Sequence, residues 1–218
     1  MNISFEEIKN NDAIRTYIEA ADASLQALGY TEHSFAHVGK VSNAAAAILE
    51  MLGYDSHTIE LARVAGYMHD IGNLINREDH SQSGALLAFR ILDKLGMPPD
   101  DIATVVTAIG NHDEGTGVPV NNVAAALILA DKSDVRRSRV RNADTINFDI
   151  HDRVNYSVTN SRLEMFEDTI RLVLTIDTSI SSIMDYFEIF LGRMTMCRKA
   201  AEKLGLKFKL TINDQSFI

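Results

Sequence analysis

The chain has 218 residues, 46% of them hydrophobic and 23% charged, with one cysteine, Cys197, and no tryptophan. These proportions exclude disordered and fibrous classes, and a lone thiol can form neither an internal disulfide nor a cysteine-rich zinc site. Twenty-one basic against thirty acidic residues leave a net charge of −9, which argues against general nucleic-acid binding and against an anionic membrane surface.

No apolar run approaches the roughly 20 residues of a membrane span. The first eleven residues are acidic and lack a basic-then-apolar leader pattern. A cytoplasmic protein with no membrane association is expected. From Asn11 to about Val140 apolar residues recur every three or four positions, and the breaks carry helix punctuation. Helices are predicted over Asp12 to Leu28, Ser34 to Leu52 and Asp55 to Gly72. Three more are predicted from Asp79 to Leu95, from Pro98–Pro99 to Asn111, and from Asn122 to Arg139. Asp55 suits an N-cap, and Asp100 and Asp101 suit the positive end of a helix dipole.

After about Asn142 the texture changes. Tyr156 to Phe166 and Thr169 to Ile176 are rich in β-branched and aromatic residues and read as two strands joined at Glu167–Asp168. A helix over Ser181 to Leu204 and a third strand over Leu206 to Ile212 follow. The expected fold is mainly α, a helical bundle over residues 1–142 with a small α+β extension over residues 143–218.

Four of the seven histidines, His37, His69, His80 and His112, fall on or beside apolar helix stripes, and so does Asp131. Any one of them alone reads as a satisfied core histidine. Together with Asp70 they point titratable groups inward from five helices, at a cost of several kcal/mol each unless paired or bound to a metal. A metal cluster answers all of these needs, and imidazole with carboxylate suits Fe, Mn, Co, Ni or Zn. The His69–Asp70 doublet, just before Gly72, is its centre, because adjacent residues at a fraying helix end can both turn to one ion and a carboxylate can bridge two. Gly84, one turn after His80, lets the pocket approach the helix backbone.

The segments "HSFAHVGKV", "ARVAGYMHDIGN", "DHSQSGALLA", "VTAIGNHDEGTG" and "ALILADKSDVRR" stand in the order His37, His69–Asp70, Asp131. In this they resemble the HD superfamily of metal-dependent phosphohydrolases, over roughly Tyr30 to Arg141. The additional His80 and His112 are similar to the subset that holds two metals, and within it to bacterial dinucleoside-tetraphosphate hydrolases of the HD type. The resemblance implies one ion on His37, His69, Asp70 and Asp131. It implies a second on Asp70, His80 and His112, with a bridging hydroxide attacking phosphorus. Many members carry lysine where this chain has Asn73.

The candidate catalytic residues are Asp70, His33 and Lys132. His33 lies one turn before His37, and Lys132 opens the one basic cluster, which continues through Arg136, Arg137, Arg139 and Arg141. Arg77, Arg136 and Lys132 are the candidate contacts to substrate phosphate. Asp113 and Glu114 are candidates to orient an imidazole. His57 and His151 read as surface residues. The expected activity is hydrolysis of a small phosphorylated, nucleotide-like substrate, and a homodimer is left open. Two rivals remain at this point. One is a diiron oxygenase, which some members of the superfamily are; the other is a metal-stabilised, non-catalytic nucleotide-binding module.

Overall fold

The structure is a computed structural model that describes residues 3–141 and 150–218. The expected boundary between bundle and extension, at 142/143, lies outside the described residues. Helices α1 (Phe5–Lys9), α2 (Asp12–Ala27), α3 (Phe35–Met51), α4 (Ser56–Met68), α5 (His80–Leu95), α6 (Pro99–Gly110) and α7 (Asn122–Ser133) form the bundle. Their starts are set by local chemistry. Asn11, Ser34, Asp55 and Asn121 each accept backbone N–H groups of the first turn, and Pro99 opens α6 without a lost donor.

Helix α7 is apolar nearly all round, and Val123 to Ala130 are all buried. A helix of that kind belongs at the centre of a core. It packs against α3, α4 and α6 and, in the C-terminal region, against α9 (Ile183–Lys203). Two glycines permit close approach where side chains could not fit. A Cβ on Gly66 of α4 would lie 2.7 Å from Ser42 Cα of α3. One on Gly72, in a short 3₁₀ turn over Ile71–Leu74, would lie 1.9 Å from the His80 carbonyl oxygen, so the start of α5 rests directly on that turn.

Helix α7 stops at Ser133, where the sequence suggested a helix as far as Arg139. Asp134 leaves the helix at φ −83°, ψ 66°, and its carboxylate bonds His37, Lys40 and Arg136. A one-turn 3₁₀ helix over Arg137–Arg139 follows. Three further elements were unforeseen. Helix α1 carries a capping box between Ser4 and Glu7. Helix α8 (Ile150–Ser157) delays the first strand to Val158. A two-residue strand, Gln215–Ser216, ends the sheet.

The C-terminal sheet has the order β1 (Val158–Phe166), β2 (Thr169–Ile176), β3 (Lys207–Ile212), β4 (Gln215–Ser216). β1 and β2 form an antiparallel hairpin with Phe166 opposite Thr169, and Glu167 at the turn has φ 45°. β2 and β3 are parallel, Leu172 opposite Leu210, and that pairing requires the crossover that α9 (Ile183–Lys203) supplies. Burial alternates along β3, where Phe208, Leu210 and Ile212 are buried. β3 packs on α9, and α9 packs on α7, so sheet and bundle share one hydrophobic core. No described helix is long and apolar enough to cross a membrane.

Candidate metal centre

Six side chains from five segments converge beneath one cavity. His37 comes from the first turn of α3 and His69 caps the end of α4. Asp70 stands between α4 and the 3₁₀ turn, His80 opens α5, His112 follows α6, and Asp131 lies in the last turn of α7. All four imidazoles are at most 3% exposed and Asp70 is 5% exposed.

Each imidazole is anchored through Nδ1. His37 Nδ1 donates to Asp134 Oδ2 at 2.8 Å, His69 to the Gly66 carbonyl at 2.8 Å, His80 to the Arg77 carbonyl at 3.1 Å, and His112 to the Ile109 carbonyl at 2.6 Å. An oxygen acceptor at Nδ1 fixes the proton there, so in the neutral ring the Nε2 lone pair faces inward. The Nε2 atoms accordingly meet one another, His37 with His69 at 3.3 Å and His80 with His112 at 3.2 Å. Two lone pairs do not bond to each other. Two donors on one ion at bonds of about 2.1 Å stand about 3.0–3.4 Å apart, which is the spacing found here.

The carboxylate of Asp70 divides the cluster. Its Oδ2 lies 3.5 Å from His37 Nε2 and 3.2 Å from His69 Nε2. Its Oδ1 lies 3.5 Å from His80 Nε2 and 3.9 Å from His112 Nε2. Asp131 Oδ1 completes the first group, 3.4 Å from His37 Nε2 and 3.7 Å from His69 Nε2. Asn73 Nδ2 donates to Asp70 Oδ1 at 3.1 Å and to the Asp70 carbonyl at 2.9 Å. Asn73 thus orients the central carboxylate. His37, His69 and Asp70, then Asp70, His80 and His112, and also His69, His112 and Asp131, are groups whose donor atoms could hold an ion.

The electrostatics call for cations. Burial raises the carboxyls of Asp70 and Asp131, but the imidazoles around Asp70 and the Lys132 ammonium beside Asp131 outweigh it and hold both well below the usual range. Burial opposes a proton on His69, yet the Asp70 and Asp131 carboxylates raise that ring to about 10. Burial, with His69 and Lys132 adding to it, pushes His112 down to about 3. A divalent ion between the same carboxylates replaces the proton on His69 and leaves the ring neutral as a ligand. Donor types, spacing and tautomers all fit metal binding.

A chain of charges runs from this centre to α9. Lys132 Nζ lies 2.7 Å from Asp131 Oδ2 and 3.4 Å from Glu114 Oε2, and Glu114 Oε1 lies 2.5 Å from Arg193 Nε. Burial raises the Glu114 carboxyl, but Lys132 and Arg193 overcome it and hold it at about 2. Above the centre the cavity encloses about 360 Å³. Tyr30, His33, Arg77, Lys132, Arg139 and Arg193 are among the side chains that line it.

The other sequence-predicted residues are placed as follows. His33 Nε2 lies 3.9 Å from Asp70 Oδ2, and its Nδ1 donates to the Thr31 carbonyl at 2.7 Å. Arg77 Nη1 reaches His80 Nε2 at 3.3 Å, and its guanidinium stands 5.8 Å over the Tyr30 ring. Arg136 is outside the cavity lining, its guanidinium held by Glu32 and Asp134, each at 3.0 Å. Arg139 takes the place at the wall instead, buried, with Nε on the Glu32 carbonyl and Nη1 on the Asp134 carbonyl. Asp113 Oδ1 is 3.9 Å from His80 Nε2. His57 is exposed and pairs with Asp101. His151, read as a surface residue, is exposed but lines the cavity mouth.

The sequence did not reveal Asp134 or Arg193, and it placed Arg139 in the basic cluster without singling it out as a cavity residue. Asp134 had one usable signal, an acid three residues beyond Asp131, whereas Arg193 sits on an ordinary amphipathic helix. In comparison with known proteins, the profile of the HD domain family matches residues 34–144. The chain is also similar to Uncharacterized protein MJ1020 of the archaeon Methanocaldococcus jannaschii, 24% identical over 160 residues. That match takes in 63% of this chain and 61% of the relative, less than two thirds of its length.

Proposed function

The chain belongs to the HD domain family, and from that premise we propose that it hydrolyses a phosphate ester or anhydride with two divalent ions bound at one site. The observation that carries this reading is the division of Asp70, whose two oxygens face separate pairs of imidazoles. His37, His69, Asp70 and Asp131 would hold one ion, and Asp70, His80 and His112 the other. Divalent ions bound there supply an activated water and offset charge on phosphoryl oxygens.

The remaining residues bind and orient. Burial keeps His33 neutral, its pKa well below the ordinary value. Its Nε2 can therefore accept a hydrogen bond from a water held beside Asp70 Oδ2 and orient it. Lys132 and Arg77 present cationic donors to the phosphate, Lys132 from a position fixed by Asp131 and Glu114. Arg77 and Arg139 line the cavity beside the cluster carboxylates and offer further cationic donors to phosphate oxygens. The cavity volume suits a small substrate with one nucleotide-sized unit. The test is elemental analysis of chelator-free protein, followed by phosphate release from a panel of phosphoesters. Metal-dependent release is expected; oxygen consumption without phosphate release would contradict the reading.

A further inference from the structure

Helices α8 and α9 contribute part of the cavity lining, and none of the residues they place there belongs to the matched HD domain segment. Two of them leave hydrogen-bonding capacity or room free at the cavity.

Asn155 of α8 is 6% exposed and lines the cavity. Its Nδ2 donates to the His151 carbonyl at 2.8 Å, and that contact settles which atom of the amide is nitrogen. Its Oδ1 accepts no hydrogen bond from any described residue. Because the residue lines the cavity, that oxygen is an open acceptor for a donor that enters it.

Gly192 stands ten residues into α9, also on the cavity wall. Glycine weakens a helix interior relative to alanine. Neither of the usual reasons for keeping it applies, because its φ is not positive and a Cβ there would meet no heavy atom within 4 Å. What the missing side chain provides is open room at the cavity mouth. Beside it lie half-buried Ile189 and the Arg193 guanidinium, which rests 4.2 Å over the Phe190 ring. Tyr30, 45% exposed, faces the same cavity from the loop after α2.

We propose that the α8–α9 wall is the subsite for the organic part of the substrate, a flat group whose N–H donates to Asn155 Oδ1 and whose body occupies the room beside Gly192. This rests on the phosphohydrolase reading for the phosphate end only. In this assignment the C-terminal region selects the substrate while the bundle performs the chemistry.

Calorimetric titration of the full, manganese-loaded chain with adenosine monophosphate, phenyl phosphate and inorganic phosphate tests it. Adenosine monophosphate, which carries an N–H donor on a flat ring, is expected to bind the native chain at least about tenfold tighter than inorganic phosphate. Gly192→Leu removes that advantage and leaves phosphate affinity within about twofold. Asn155→Ala weakens adenosine monophosphate by about tenfold and phenyl phosphate, which has no donor, by less than about twofold. Gly192→Ala raises the Tm, which shows that the position tolerates a side chain. Native affinity for adenosine monophosphate in a folded Gly192→Leu protein, or no gain of either ester over inorganic phosphate, overturns the proposal. Phosphate release measured alongside separates the two readings. Binding that depends on Gly192 without any turnover contradicts the hydrolase and leaves the subsite standing. Turnover indifferent to Gly192→Leu does the reverse.

Discussion

At the floor of the cavity His37, His69, His80 and His112 each fasten Nδ1 to a fixed oxygen, whereas at its mouth Asn155 leaves Oδ1 open and Gly192 faces empty space. The floor is assembled from first and last turns of helices that pack into the bundle core, and its donors are oriented before anything binds. The mouth is a helical wall carrying spare hydrogen-bonding capacity and spare volume. Changes at the floor therefore act on ion binding whatever the substrate, and changes at the mouth act on which molecule is held.

The sharpest break of that contrast is Asp70→Ala. Removing the one carboxylate shared by both imidazole pairs is expected to abolish metal retention and turnover together, measured by elemental analysis and phosphate release. A milder cut at the same end is Asp134→Ala, which frees the His37 ring from its 2.8 Å anchor without touching a candidate ligand. Loss of such an orienting acceptor lowers metal affinity about 10–100-fold, readable by competition with a chromogenic chelator. Gly72→Ala tests whether the floor depends on the backbone contact between the 3₁₀ turn and α5. With a Cβ 1.9 Å from the His80 carbonyl oxygen, a loss of about 1–3 kcal/mol in denaturant unfolding is expected, accompanied by weakened metal binding through displaced His80. The smallest effect is expected at a scaffold position. Asn121→Ala deletes the 2.7 Å cap on Ala124 N–H and should cost about 1 kcal/mol of stability, with metal stoichiometry unchanged.

The contrast also explains what could be read from the sequence. Helices α2, α3, α5 and α6 were legible because helix punctuation and apolar periodicity agreed on their bounds, whereas α4 ends at Met68, short of the expected Gly72, where the chain passes into the 3₁₀ turn. The six cluster residues were legible because imidazoles on an apolar stripe conflict with the hydrophobic pattern, and such a conflict needs a local chemical answer. The overrun of α7 had a different origin. The periodic pattern continues past Ser133, but the chain turns there so that Asp134 reaches His37 and Arg139 reaches the wall, a tertiary demand with no local mark. Helix α1 was missed although Ser4 and Glu7 stood at capping-box spacing, because five residues carry too little periodicity. Arg136 was favoured over Arg139 because a straight helix would have kept Arg136 nearer to Asp131. The mouth was illegible for a simpler reason. Asn155, Gly192 and Arg193 belong to elements that meet the bundle only after the β2–α9–β3 crossover forms, and nothing in their own segments points to a cavity.

Native mass spectrometry of the chain after reconstitution with manganese tests the central claim most directly. Two ions per chain, falling to one in His112→Ala and to none in Asp70→Ala, is the predicted result. A single ion in the native chain, or equal metal content in the native and Asp70→Ala proteins, would contradict the assignment of Asp70 as the carboxylate that joins two sites.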